Sequence, residues 1–225
     1  MGFIIYFILL LIIPLWAQSK VKSAYRKYSQ VQASSGLTGA QVARKILDDN
    51  GLYNVRVEEV RGTLTDHYDP RTKVVRLSTN NYHGTSVAGA AVAAHEVGHA
   101  IQDQENYAFL RFRHALVPVA SFGSNASFFL ILLGIILTSQ NLLLLGIVAM
   151  AAAVLFQVVT LPVEFNASSR AMEQIVSAGV IRNDEERETK KVLDAAALTY
   201  VAGALVALLE LARFILMYIG MNNDD

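Results

Sequence analysis

The sequence predicts an α+β, mainly helical protein with four transmembrane helices and a small domain outside the bilayer. Of its 225 residues, 53% are apolar and 17% are charged, and the apolar residues are concentrated in four blocks. The polar segment after the first block contains both helix-like and strand-like patterns. This combination is typical of a multi-pass membrane protein that carries a cytoplasmic or extracytoplasmic domain.

The four apolar blocks predict the membrane helices in order. The first, Phe3 to Trp16, is short, but its flanks can extend it. It lacks a basic n-region and a clear small-x-small cleavage site, which favours an uncleaved anchor over a signal peptide. The other three blocks are each long enough to cross about 30 Å of hydrocarbon as a helix. They are Leu116 to Thr138, Leu142 to Val163 and Ala195 to Ile219.

The basic residues predict the orientation of these helices. The formal net charge is zero, yet thirteen of the nineteen Lys and Arg lie between the first two blocks and five lie between the last two. By the positive-inside rule both basic segments face the cytoplasm, while both termini and the Ser139-Gln140-Asn141 turn lie outside. The absence of cysteine fits a reducing compartment.

The long segment after the anchor predicts the elements of the cytoplasmic domain. Gln18 to Ser35 is polar and basic, so it is either a juxtamembrane stretch near anionic headgroups or a solvated linker whose charges set topology. A capping box at Thr38 predicts a helix from about Thr38 to Asn50. Strand-like patterns follow at Tyr53 to Val60 and Lys73 to Leu77, and Asp69 to Thr72 supplies the turn before the second.

The motif His95-Glu96-Val97-Gly98-His99 predicts a metal site. In a helix, positions i and i+4 lie about 40° apart, so both imidazoles point the same way, and Glu96 can reach a water molecule without being a ligand. This is the layout of a zinc-dependent peptidase, in which Glu96 accepts the proton of the attacking water. Gly98 indicates room for close packing beneath the metal. The alternative is a pair of core histidines with a capping glutamate.

Two histidines do not complete a zinc site, and the candidates for the third ligand are the other histidines and the acidic residues. Glu164 stands out because it lies where the third apolar block meets the cytoplasm, and a charge there is costly unless it is paired or bound to a metal. Its alternative role is an interfacial charge that ends the helix. The other candidates are His67, His83 and His114.

Three segments carry a resemblance to a known family: Leu64 to Ser78, Ala93 to Gln102 and Leu161 to Ser168. Together they resemble the YugP-type membrane zinc metallopeptidases of bacteria and, more distantly, the HtpX-type membrane proteases. The resemblance implies a zincin-like cytoplasmic metallopeptidase domain of the gluzincin-like type, with HExxH plus a glutamate. The implied ligands of the Zn²⁺ ion are His95, His99 and Glu164, and the implied catalytic residue is Glu96.

One position departs from the HtpX-type pattern, which has an acidic residue four positions after the ligand glutamate. This chain has Ser168 there. A hydrogen-bond partner for a metal histidine is therefore expected elsewhere, and Asp103, four residues after His99, is a candidate. For the oxyanion of the reaction, the candidates are Tyr82, His83 and His67.

The predicted organisation has five parts. They are an N-terminal transmembrane anchor (1–17), a cytoplasmic metallopeptidase region with the HEVGH helix (18–115), a transmembrane hairpin (116–163), a cytoplasmic segment with the third zinc ligand (164–194), and a transmembrane helix with the C-terminal tail (195–225).

The predicted function is a membrane-embedded zinc-dependent endopeptidase that acts near the cytoplasmic membrane face. Its expected partners are the lipid bilayer and polypeptide substrates, which can include membrane proteins. Nucleic acid is not an expected partner. The strand from Val74 to Leu77 is expected to lie at a sheet edge and to bind extended peptide. The alternative to an active endopeptidase is a zinc-binding membrane scaffold or adaptor without turnover. A di-iron oxygenase is disfavoured because it needs more than five histidines.

Overall fold

The computed structural model describes residues 2–223, with the side chains of residues 4–221, and is mainly helical with one small sheet. Asp224 and Asp225 of the predicted tail lie outside the described residues. The elements in chain order are α1 Gly2–Tyr28, α2 Gly39–Asp49, β1 Arg56–Val60, β2 His67–Asp69, β3 Val74–Ser78, α3 Thr79–His83, α4 Val87–Gln104, α5 Ala108–Ile136, α6 Gln140–Ser177 and α7 Glu186–Asn223.

Four helices, α1, α5, α6 and α7, are long and apolar enough to cross a membrane. Each coincides with one of the predicted apolar blocks, although the second block extends two residues beyond the end of α5. The expected number of candidate spans is confirmed within residues 4–221. Helix α1 does not end with its apolar block but continues to Tyr28. The first part of the polar stretch after Trp16 is therefore helical.

The described chain divides into two compact units. The first consists of 2–14, 108–162 and 200–223, and it contains apolar helical segments only. Close backbone approaches hold α5 against α6 in this unit: a Cβ atom at Gly123 would lie 2.5 Å from the carbonyl oxygen of Ala149, and one at Gly134 would lie 2.7 Å from the Leu143 nitrogen. Small residues at such crossings allow apolar helices to pack closely.

The second unit consists of 15–107 and 163–199 and contains the sheet and the HEVGH helix. Helix α2 begins as predicted, because the Thr38 side chain accepts from the Gln41 backbone and the Gln41 side chain accepts from the Thr38 backbone. Its apolar face packs with β3, α4 and α6 into the core of this unit. The largest fully buried apolar side chains there include Ile46, Leu47, Leu77, Val97 and Ile175.

The sheet has the order β1-β3-β2, with β1 parallel and β2 antiparallel to β3. The expectation that the strand from Val74 to Leu77 lies at a sheet edge is wrong, because β3 pairs on both sides. The sequence analysis missed β2, which has only three residues and is followed directly by Pro70. A strand this short shows no readable alternation of apolar and polar residues.

Candidate metal centre

Helix α4 carries the HEVGH motif through the core of the second unit. Its start is capped by Ser86, whose hydroxyl accepts from the Gly89 backbone at 3.1 Å. Thirteen of its eighteen residues are buried and eight of these are alanine or glycine, which lets neighbouring elements pack closely around the helix. The imidazoles of His95 and His99 project from one face, with ring centroids 4.8 Å apart.

Glu164 of α6 meets both histidines. Its Oε2 atom lies 3.2 Å from Nε2 of His95 and 3.5 Å from Nε2 of His99. The Glu164 side chain is 3% exposed and each histidine side chain is 12% exposed, so the three groups are nearly closed off from solvent. Among the described residues, these are the three side chains of metal-binding type that come together in one group.

The geometry of this group fits a zinc ion. Bonds of about 2.0–2.1 Å in tetrahedral directions place neighbouring ligand atoms about 3.3 Å apart. The two distances from Glu164 Oε2 to the histidine nitrogens, 3.2 and 3.5 Å, lie on either side of that value. Two imidazoles and one carboxylate are also a donor set that zinc takes in catalytic sites, where a fourth position remains open. The residues could therefore hold Zn²⁺ with one position free.

Gln102 fixes the orientation of His99. Its amide nitrogen donates to the backbone oxygen of Val163 at 2.8 Å and to Oδ1 of Asn166 at 2.9 Å. The amide oxygen therefore faces the imidazole, and it lies 3.0 Å from Nδ1 of His99. Because an amide oxygen can only accept, this contact requires a proton on Nδ1 and makes Nε2, the nitrogen that faces Glu164, the one that could bind a metal ion.

His95 has a matching partner in Ser168, whose Oγ atom lies 3.2 Å from Nδ1 of the ring. The expectation that this partner comes from elsewhere is therefore wrong, because Ser168 itself, at the position where the HtpX type has an acidic residue, contacts the ring. The candidate proposed from sequence, Asp103, does not contact either histidine; it accepts from the Tyr68 hydroxyl at 2.8 Å and from Lys73. Sequence reasoning missed Gln102, although its i+3 spacing from His99 was a usable signal.

Gly98 was predicted to leave room for close packing, and in the structure the element packed against it is α6. A Cβ atom at this position would lie 2.6 Å from the carbonyl oxygen of Ala167, which is far inside van der Waals contact. Ala167 lies between Glu164 and Ser168 on α6. The glycine therefore brings the third candidate ligand and the serine partner within reach of the histidines.

Glu96 lies beside the candidate ligands and is almost fully buried. Burial raises the pKa of Glu96 to about 7, and the negative charges of Asp66 and Glu164 act in the same direction. His95 and a hydrogen bond from the Tyr68 backbone N–H oppose this rise in pKa. A carboxyl group with a pKa near neutrality is suited to accept and return a proton.

The other sequence-proposed histidines at the start of the domain face different partners. Nδ1 of His67 lies 2.8 Å from the Thr65 carbonyl oxygen, and Nε2 of His83 lies 3.2 Å from a carboxylate oxygen of Glu59. Both side chains are outside the group formed by His95, His99 and Glu164.

Comparisons with known proteins identify the family to which the chain belongs. A family model described as "Putative neutral zinc metallopeptidase" matches residues 3–219. The chain is 59% identical over 210 residues to the "Putative membrane protease YugP" of Bacillus subtilis (strain 168), and the match covers 93% of each protein. No solved structure shows a significant match to the chain. Because the family model and this relative both span nearly the whole sequence, the resemblance carried by the three motifs is confirmed, and the chain belongs to the family of neutral zinc metallopeptidases.

Proposed function

We propose that this protein is a multi-pass membrane zinc endopeptidase of the gluzincin-like type, with a zincin-like domain on the cytoplasmic side. The observation that carries the proposal is the buried convergence of His95, His99 and Glu164, with Glu96 next to them. In this proposal the first three residues bind Zn²⁺ and Glu96 is catalytic. The substrates are polypeptides near the inner membrane face, and they include membrane proteins.

The residues of the chain divide the chemistry between them. A bound zinc ion supplies Lewis acidity, which polarises the peptide carbonyl and makes water acidic enough to lose a proton near neutral pH. Glu96 takes that proton as the water oxygen bonds to the carbonyl carbon, and returns it to the leaving amine nitrogen when the C–N bond breaks. The Tyr68 backbone N–H favours the ionised form of Glu96, which is the form that accepts the proton.

Substitution of Glu96 tests the proposed division of roles. Glu96→Gln should retain zinc close to the wild-type content and lose at least about a hundredfold in cleavage of casein or a membrane-protein substrate, because only proton transfer is removed. The matched control is Glu173→Gln, an exposed glutamate on α6, which should leave both quantities unchanged. Wild-type turnover by Glu96→Gln would refute the assignment. If the wild-type protein binds zinc and cleaves nothing, the scaffold without turnover becomes the better interpretation.

The cytoplasmic placement has a separate test, which the absence of native cysteine makes clean. Single cysteines are introduced at Ser29, Asn141, Asn183 and Asn223, and intact cells are treated with a membrane-impermeant maleimide. The positive-inside rule predicts labelling at 141 and 223 before lysis, and at 29 and 183 only after lysis. Labelling at 29 or 183 in sealed cells would place the metal centre outside the cytoplasm.

A further inference from the structure

A groove of about 570 Å³ lies between α1 and α7 within the second unit. Lys20, Ala24 and Lys27 line it from α1, and Lys191, Ala195 and Leu198 line it from α7. Both triplets have the spacing i, i+4, i+7, which places each on a single face of its helix. The groove therefore has a floor of apolar residues, Ala24, Ala195 and Leu198, and is lined by three lysines.

The position of the groove along the two helices follows from the sequence. Lys20 comes four residues after Trp16, the end of the first apolar block, and the ammonium of Lys20 lies 6.0 Å from that indole ring. Lys191 comes four residues before Ala195, where the last apolar block starts. Tryptophan and lysine are the residues that anchor a helix at the membrane interface. Both sides of the groove thus lie where an apolar segment meets a polar one.

The lysines of the groove have no carboxylate partner among the described residues. Within residues 4–221, none of the three lysines forms an ion pair with a carboxylate; Lys27 lies 5.3 Å from the ring of Tyr28. The groove contains one acidic side chain, Asp194, and both of its oxygens are held by Lys190 at 2.8 Å. Three lysines therefore line this groove without an ion pair of their own, and its one carboxylate is already paired with Lys190.

We propose that this groove binds the headgroup of one anionic phospholipid, with its phosphate among Lys20, Lys27 and Lys191. The inference rests on the membrane-spanning placement of α1 and α7 in the proposed function. Basic pockets between membrane helices on the cytoplasmic side bind anionic headgroups in this way, and the apolar floor suits the glycerol backbone and the start of the acyl chains. The groove favours a bound lipid over a solvated linker as the role of this basic stretch.

Native mass spectrometry of the detergent-purified full chain tests the proposal, with phosphatidylglycerol as the probe and phosphatidylcholine of the same acyl chains as the comparison. The wild type should bind one phosphatidylglycerol in preference to phosphatidylcholine. The triple variant Lys20→Gln/Lys27→Gln/Lys191→Gln should bind it roughly a hundredfold more weakly, since each lysine contributes to attraction of the anionic headgroup. The single variant Lys191→Gln should show a several-fold loss.

The matched control removes three positive charges from the same helices outside the groove: Lys22→Gln/Arg26→Gln/Arg187→Gln. It should bind phosphatidylglycerol within about twofold of the wild type. Equal loss in the control would show diffuse surface attraction and overturn the proposal, as would equal binding of the two lipids or displacement of the lipid by millimolar inorganic phosphate. Lipid binding is measured without a peptide substrate. A protein that lacks peptidase activity could therefore still show the proposed preference for phosphatidylglycerol. Release from membranes by alkaline carbonate would instead contradict the membrane-spanning placement.

Discussion

Replacing Gln102 with leucine should weaken zinc binding about 10- to 100-fold while leaving the fold intact. Leucine has a similar volume, so the fully buried site stays filled. Asn166 Oδ1 keeps its second donor, since Arg170 Nε lies 2.7 Å away. The carbonyl oxygen of Val163 also loses the glutamine donor, but it lies inside α6 and remains a helical acceptor. The group left without a partner is Nδ1 of His99, at 3.0 Å from the glutamine oxygen in the wild type. The damage is thus concentrated on a ligand.

The expected magnitude follows from that orphaned group. A buried N–H without an acceptor costs about 1–3 kcal/mol, and His99 can escape this cost by turning its ring or by moving the proton to Nε2. Either change spoils the donor atom that faces Glu164. A loss of about 1.4–2.8 kcal/mol in binding free energy corresponds to the stated 10- to 100-fold.

Competition with a chromophoric chelator measures the affinity, and the melting temperature of the metal-free protein checks the fold. Gln104→Leu is the matched control, because Gln104 is an exposed glutamine two residues further along the same helix. Its zinc affinity should stay within twofold of the wild type. If Gln102→Leu also stays within twofold, the hydrogen bond does not orient His99 and the reasoning is refuted.

Three further outcomes are expected. Glu164→Ala should be purified with little zinc by elemental analysis. The control is Glu173→Ala, which changes an exposed glutamate nine residues later on the same helix and should keep full zinc occupancy. Equal zinc occupancy in the two variants would remove Glu164 from the ligand set. Gly98→Ala should cost about 1–3 kcal/mol in the free energy of unfolding, because its methyl group would lie 2.6 Å from a backbone oxygen, while Gly203→Ala, with its nearest neighbour at 3.7 Å, should be tolerated. Removing zinc with a chelator should lower the melting temperature, because free zinc at a thousand times its dissociation constant stabilises the folded state by about 4 kcal/mol. An unchanged melting temperature would show that zinc binding is not coupled to folding.

Local patterns predicted much of the fold. The capping box at Thr38, the uninterrupted helix around the HEVGH motif and the four apolar blocks each depend on residues close together in the chain. Glu164 was suggested by the cost of a charge at the end of an apolar block, together with the family resemblance. These features need no knowledge of which elements touch.

The remaining parts of the site depend on contacts between distant segments. The pairing of Ser168 with His95 and of Gln102 with Val163 requires the register of α4 against α6, and the paired residues lie more than sixty positions apart in the chain. A serine and a glutamine are ordinary polar residues until that register is known. Strand β2 could not be predicted for a related reason, because its pairing with β3 defines it more than its three residues do.

Tyr68 favours the ionised form of Glu96 through its backbone N–H, so the identity of the side chain at position 68 does not encode this effect. Exchanges at this position can therefore remove the contact between the tyrosine hydroxyl and Asp103 without removing the donor to Glu96. Proline is the exception, because it has no N–H to give. Relatives with other side chains at this position would keep the same backbone N–H. A comparison of residue types alone therefore cannot reveal this effect on the pKa of Glu96.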